Sequence, residues 1–487
     1  MATSIKNTAL RARRQNYRPC STNRNPCRFK SSTSSYRLAD AGVATQTSST
    51  NPAQQLTTPA PALARLSTSS ILRTLLLSTF FTSPLLFKPG FAIFHKIANS
   101  SSALLNPDRN PVLRAIIYPL VYKQFCAGRN RAEIEQTSAQ IRHLGFAGVV
   151  LCYGKEVQVA GDNDTLVGSD ASYPGTLKVE IDQWKHGNLD TLDMAGQGDW
   201  LGIKFTGAGY HITKALMQGE EAPPEFIKAM EEICERASLR DCRIWIDSEQ
   251  QVLQPTIDKW TIPLMRRFNR AETRALIYNT VQAYLKSSRE KIQHQLQLAE
   301  KEGWRLGVKL VRGAYISNDI RERIHNTKAE TDRSYDGIVE DLLRGNFSTG
   351  TGQQTTNLDL VLAGHNSATI RKATRLAIDL AAQSSLKAVP EFAQLQGMAD
   401  DVGCEIVQIA EDLGKSGLPG KVAYIPRVYK CLTWGSIQEC MQYLTRRLVE
   451  NRGAADRMRG GAAEFRKELY RRMRDPWRKQ VTKAPTS

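Results

Sequence analysis

The chain has 487 residues, 41% hydrophobic and 23% charged, a composition that excludes collagenous and wholly disordered classes and allows a large core. Its net charge of +18 would ordinarily point to nucleic acid, but the placement of the charge argues against such a partner. Residues 1–107 hold thirteen Lys and Arg against one acid, Asp40, which accounts for +12 of the +18.

Between Met1 and Ala39 there are nine basic residues, no acids, and many Ser, Thr and Asn. Arg11, Arg13, Arg14 and Arg18 are spaced to put a cationic face on a short helix. Arg-rich, Ser-rich and acid-free is the composition of an organellar transit peptide. Residues 40–70, rich in Thr, Ala, Pro and Gln, read as a flexible linker. The stretch ILRTLLLSTFFTSPLLFKPGFAIF (71–94) is the most apolar. Its uninterrupted part, Thr74 to Phe87, is too short for a membrane span and is broken by Pro84, so an amphipathic helix on the domain or on a membrane surface is expected. The nine cysteines show no CxxC or Cys/His ligand spacing, which predicts reduced thiols and no metal.

From residue 108 onward short apolar runs alternate with helical patterns. FAGVVLCY (146–153), LGIKFTG (201–207), CRIWIDSE (242–249), RLGVKLVRGAY (305–315), NLDLVLAGHN (357–366) and KVAYIPRV (421–428) read as buried strands. PEFIKAMEEICERASLR (224–240) and the whole of 275–303 read as helices. Such alternation implies a parallel sheet. The strands are expected to end in polar groups: Lys204, Asp247, Arg312 with Tyr315, His365 and Arg427. Function spread over several strand ends is the habit of an α/β barrel, whereas an open sheet gathers it at one switch point after a Gly-rich turn. No GxGxxG follows a strand and no GxxxxGK[ST] occurs, so the expected fold is a distorted (βα)8 TIM-like barrel with an N-terminal extension. Residues 346–356, NFSTGTGQQTT, read as a surface insertion.

In MQYLTRRLVEN (441–451), Tyr443, Arg446, Arg447 and Glu450 fall three and four apart and share one side of a helix. With Lys204, Asp247, Lys309, Arg312, Tyr315 and His365 they make a cation-rich set, suited to an anionic ligand and to bidentate recognition of a carboxylate. The set lacks a serine or cysteine nucleophile with a partner base. A solvated Arg446–Glu450 surface pair remains an alternative reading of that helix.

IWIDSEQ (244–250), YNTVQAYLK (278–286), GVKLVRGAY (307–315), AGHN (363–366), QLQGMADD (394–401) and YLTRRLVEN (443–451) occur in order. Together they resemble the proline dehydrogenase family, FAD-dependent mitochondrial enzymes that open proline catabolism, over residues 110 to 470. The resemblance implies that Arg446 and Arg447 hold the substrate carboxylate, that Lys204 and Asp247 pair at the pocket floor, and that Tyr315 and Tyr443 wall the substrate ring. It further implies that Gln282, Lys309, Arg312 and His365 contact FAD. The implied reaction is hydride transfer from proline to flavin N5, giving Δ1-pyrroline-5-carboxylate, with electrons passed to a membrane quinone at the matrix side of the mitochondrial inner membrane. No nucleic acid is implied. The implied organisation is a mitochondrial transit peptide and linker in 1–60, an amphipathic, membrane-associated segment in 61–107, the FAD-binding barrel in 108–475, and a tail in 476–487.

One position departs from the family. Twelve residues before Tyr443, where the family commonly has tyrosine, VYKCLTWG (428–435) places Cys431. A smaller residue there widens the pocket where a 4-hydroxyl would sit, as in the family's hydroxyproline branch, so proline and hydroxyproline both stand as substrates. A Schiff-base lyase using Lys204 or Lys309, and a non-catalytic imino-acid-binding paralogue, are the other readings.

Overall fold

The computed structural model describes residues 61–474 apart from 101, 155–156, 161–164, 168–174, 317–318, 348–356, 416–423 and 451–453. The expected transit peptide, most of the linker, the C-terminal tail and most of the 346–356 insertion lie outside the described residues.

Eight parallel strands close into a barrel: β1 (Gly148–Tyr153), β4 (Trp200–Ile203), β5 (Arg243–Ile246), β6 (Ile277–Gln282), β7 (Leu306–Val311), β8 (Leu358–Ala363), β9 (Val389–Leu395) and β10 (Arg427–Trp434). β10 closes the ring on β1 in a register that sets Gly148 beside Tyr429 and Tyr153 beside Trp434. A small antiparallel hairpin, β2 (Gln158–Ala160) and β3 (Thr165–Val167), follows β1.

The barrel is the one expected, but three strands depart from the sequence reading. The helix expected over 275–303 is strand β6 followed by a helix, Ser288–Glu302. Its polar residues are buried with partners: Asn279 donates to Asp258 at 3.0 Å and Thr280 to the Ile246 carbonyl at 2.6 Å. Strand β9, with Glu391 and Gln394 buried in it, was not anticipated, and the last strand starts six residues later than 421–428 suggests. Arg427 therefore opens β10 at the barrel bottom instead of ending a strand at its mouth, and it pairs with Glu391 at 3.6 Å.

That bottom is sealed by charge and aromatic packing. Arg243 and Glu391 form a buried ion pair, the Arg243 guanidinium lies 3.8 Å over the Trp200 ring, and it also donates to the Tyr429 hydroxyl at 2.9 Å. Trp245 and Tyr278 pack against Trp200 from the neighbouring strands. Each strand thus enters the barrel through a fixed layer, and its other end is free to carry chemistry.

The apolar N-terminal segment is two helices, Thr68–Thr82 and Pro84–Ala98, bent by 100° at the break between them. Among the described residues no single helix is long and apolar enough to cross a membrane. Both belong to the compact unit that starts at Pro59. The first packs along the C-terminal helix Ala454–Arg474, where Arg472 donates to the carbonyls of Leu63, Ala64 and Leu66, and the second packs against helix Ile437–Glu450.

Glu391→Ala would strand the Arg243 charge in a buried layer, and should lower unfolding stability by about 3–5 kcal/mol in urea titrations. A loss below about 1 kcal/mol would mean the bottom layer is solvated.

Candidate active site

At the barrel mouth Lys204, just past β4, donates to the Tyr315 hydroxyl at 2.7 Å, with its ammonium 5.4 Å from the centre of that ring. Asp247, just past β5, pairs with Lys309 of β7, whose ammonium sits 3.8 Å over the Trp245 ring. The ion pair expected between Lys204 and Asp247 is thus exchanged: Asp247 takes Lys309, and Lys204 takes a phenol. The reason is register. Lys309 points into the barrel from the middle of β7 and reaches Asp247 across β6, whereas Lys204 leaves its strand end towards the β7 loop.

Where β10 closes on β1, beside β4, Cys431 of β10 and Cys152 of β1 bring their sulfurs to 3.7 Å. Cys431 and burial push the Cys152 thiol well above its ordinary range, so it is a poor nucleophile. Sequence reasoning passed over Cys152, although it stands near the C-terminal end of β1 where the other strands carry their polar groups. Tyr443 reaches this cluster from helix Ile437–Glu450. Burial pushes its phenol up against the pull of Arg447, and it feels Cys431, Cys152 and Asp247 as neighbours.

The helix bearing the arginines is anchored from a distant part of the chain. Asp108 accepts hydrogen bonds from the backbone N–H groups of Ile437 and Gln438, at 3.0 Å each, supplying the negative charge a helix N-terminus favours. Tyr122 donates to the Gly435 carbonyl at 2.7 Å, and Gln442 to that of Ala98 at 3.1 Å. An apolar cluster of Ile97, Ile117, Tyr122, Ile437, Cys440 and Met441 fills the contact. Both guanidinium groups are half-buried rather than in bulk solvent. Arg447 lies 5.2 Å over the Tyr443 ring, while Arg446 turns to the other side and donates to the Gly154 carbonyl past β1 at 3.2 Å.

The remaining predicted residues form a second group along β6, β7 and β8. Gln282 is buried and clamps two loops, donating to the Glu249 carbonyl at 3.2 Å and accepting from Ala314 N–H at 3.3 Å. Arg312 donates to Asp332 at 2.9 Å and to Thr369 at 2.8 Å, over the Tyr335 ring. Burial alone would raise the Asp332 carboxyl, but hydrogen bonds from Lys328 and Arg312 outweigh it and hold the group below its ordinary value. His365, past β8, accepts from Leu395 N–H at 3.0 Å. Gly313, between Arg312 and the Tyr315 loop, has φ of +135°, and a Cβ there would strike the Tyr284 ring.

This arrangement sits in a chain whose residues 135–460 match the family described as proline dehydrogenase. The chain belongs to that family. It is 27% identical over 404 residues to "Probable proline dehydrogenase, mitochondrial" of Schizosaccharomyces pombe, covering 72% of this chain and 79% of that one. It is 30% identical over 304 residues to "Proline dehydrogenase 1, mitochondrial" of Caenorhabditis elegans, covering 61% and 46%, and 29% identical over 256 residues to "Hydroxyproline dehydrogenase" of Rattus norvegicus, covering 51% of each. The chain thus spans about half the length of these two animal relatives. Among solved structures, proline utilization A (PutA) from Bdellovibrio bacteriovorus shares the fold with a TM-score of 0.55 at 18% identity, over 78% of this chain and 38% of that chain.

Replacing Asp108 with Ala should cost about 0.5–2 kcal/mol at the cap and loosen the arginine helix. Thermal melts together with faster amide exchange over 437–447 would read this, and unchanged exchange there would dismiss the anchoring role. Asp332 is depressed when folded, so its stabilisation is present above the unfolded carboxylate pKa and is lost as pH falls through the folded value. Stability should therefore fall with acid more steeply in the wild type than in Asp332→Asn, and parallel curves would contradict this.

Proposed function

We propose that this chain is a mitochondrial flavoenzyme that oxidises L-proline, or a ring-substituted relative, to the corresponding cyclic imine. The observation that carries the reading is the gathering of Lys204, Asp247, Lys309, Tyr315, Cys431, Tyr443 and Arg447 at the mouth of a barrel of this family. A small cyclic amino acid needs its carboxylate neutralised by charge-assisted hydrogen bonds once it leaves water, and Arg446 and Arg447 on a braced helix suit that task. Tyr315 and Tyr443 would bracket the ring, with Lys204 holding the Tyr315 hydroxyl in place.

The residues also fit FAD. Arg312 has a buried Nη1 with no hydrogen-bond partner, 3.7 Å from where a Cβ on Gly364 would stand, as a phosphate oxygen would require. Gln282 and His365 would line the same cradle, and Lys309 would place a cation beside the isoalloxazine ring. FAD, when bound, supplies the hydride acceptor. The substrate reacts as its neutral amine, the ammonium proton having gone to solvent: it gives up hydride from the carbon next to nitrogen, the nitrogen lone pair closes the C=N bond, and the remaining N–H proton leaves to solvent. No strong base is required; placement and exclusion of water are. A membrane quinone is the acceptor this reading implies, and the exposed Leu72, Leu76, Leu85 and Ile93 of the N-terminal helices suit contact with an inner-membrane surface.

Cys431 in place of the family's tyrosine leaves room for a ring substituent, and the named rat relative makes hydroxyproline one candidate for it. A Schiff-base lyase has less support, because the amines of Lys204 and Lys309 are each engaged by a phenol or a carboxylate rather than presented to a carbonyl substrate.

Anaerobic titration of the yellow protein should bleach its flavin with proline, and 4-hydroxyproline run alongside sets the preference. A flavin-loaded protein that no cyclic amino acid bleaches would overturn the reading and leave a binding paralogue. Arg446→Ala and Arg447→Ala should each raise KM by about tenfold or more, and unaltered kinetics in both would remove the clamp.

A further inference from the structure

A cavity of about 250 Å³ begins at Cys431, Tyr443 and Arg447 and runs away from the strand ends, between helix Ile437–Glu450 and the N-terminal helix pair. Its walls past Cys431 are Val121, Phe125 and Leu444, then the phenylalanines of helices Thr68–Thr82 and Pro84–Ala98. Arg447 is the one charged side chain among the described lining residues, and it stands at the end shared with the site. Thr433, also on the wall, has its hydroxyl committed to the Cys152 carbonyl at 3.3 Å. A dry apolar cavity of about 150 Å³ is enough to take up benzene, so the space beside Cys431 exceeds what an unsubstituted ring needs.

From this we infer that the substrate carries an apolar substituent on its ring, and that this group enters the cavity past Cys431. The inference rests on the proposed oxidation of a cyclic amino acid. In such a molecule C2 bears the carboxylate bound by the arginines, and C5, next to nitrogen, is the reacting carbon. Only C3 and C4 are free to carry a group away from both. A hydroxyl sent into the cavity would exchange water for a mostly apolar wall, a loss of about fivefold to a hundredfold in affinity. An alkyl group sent there gains about threefold to fourfold per buried carbon. The wall thus selects carbon over oxygen at the position that Cys431 leaves open.

The test is anaerobic flavin reduction with proline, 4-methylproline, 4-propylproline and 4-hydroxyproline on the full-length holoenzyme. kcat/KM should climb by about threefold to fourfold per added carbon through the alkyl series and drop at least fivefold for 4-hydroxyproline, both relative to proline. Non-oxidisable cyclic carboxylates with the same substituents should show the same order as competitive inhibitors. Val121→Phe, or Leu444→Phe should the first fail to fold, fills the cavity and should erase the gain for propylproline while proline is still oxidised. Proline turned over faster than every alkylproline would sink the inference and leave the proline reading standing. Bleaching by no cyclic amino acid would remove both. Indifference to the substituents, with Val121→Phe slowing reoxidation by a long-tailed quinone, would assign the cavity to the electron acceptor and overturn the inference.

Discussion

The site depends on how one amphipathic helix is held across the end of a barrel. Helix Ile437–Glu450 buries Ile437, Cys440 and Met441 against the segment 97–126 and presents Tyr443, Arg446 and Arg447 towards the strand tips. The two guanidinium groups lie on different partners, Arg447 over the Tyr443 ring and Arg446 at the Gly154 carbonyl, and half-burial makes such placed charges costly to hold. Such an arrangement is tolerable when the helix is fixed from outside, and that is the work of the Asp108 carboxylate at its N-terminus and the Tyr122 and Gln442 hydrogen bonds beside it. The N-terminal segment is therefore part of the site's architecture as well as a covering for it.

The barrel supplies the opposing wall by dividing labour between its ends. At the bottom Arg243, Glu391 and Tyr429 form a buried hydrogen-bonded layer under the Trp200 ring. At the mouth the strand ends bring together ammonium, carboxylate and phenol groups, Lys204 with Tyr315 and Lys309 with Asp247. The exchange of partners between Lys204 and Lys309 shows how finely this is set. With Lys309 inside the barrel and Lys204 on its rim, the Asp247 carboxylate stays with the deeper cation, where an uncompensated charge would be most costly.

Much of this was legible in the chain. The arginine helix announced itself through spacings of three and four, and most of the strands through short apolar runs. β6 and β9 hid because several of their buried residues are polar: Asn279, Thr280 and Gln282 in one, Glu391 and Gln394 in the other. Hydropathy reads such residues as solvent-facing, whereas burial with partners such as Asp258, Arg243 and Lys430 makes them core. The end of the chain was misregistered for the same reason, since the buried Lys430–Asp400 pair interrupts the apolar run of β10. The closeness of Cys152 to Cys431 could not be read at all, because it follows from barrel closure between the first strand and the last.

The two arginines on this braced helix are the groups we propose to take the acid group of a ring-bearing amino acid. A crystal structure of the protein with a non-oxidisable cyclic carboxylate tests it most directly. Carboxylate oxygens should lie within hydrogen-bond distance of Arg446 and Arg447, with the ring against Tyr443 and facing the strand tips. A carboxylate bound instead by Lys204 or Arg312, with both arginines untouched, would contradict it.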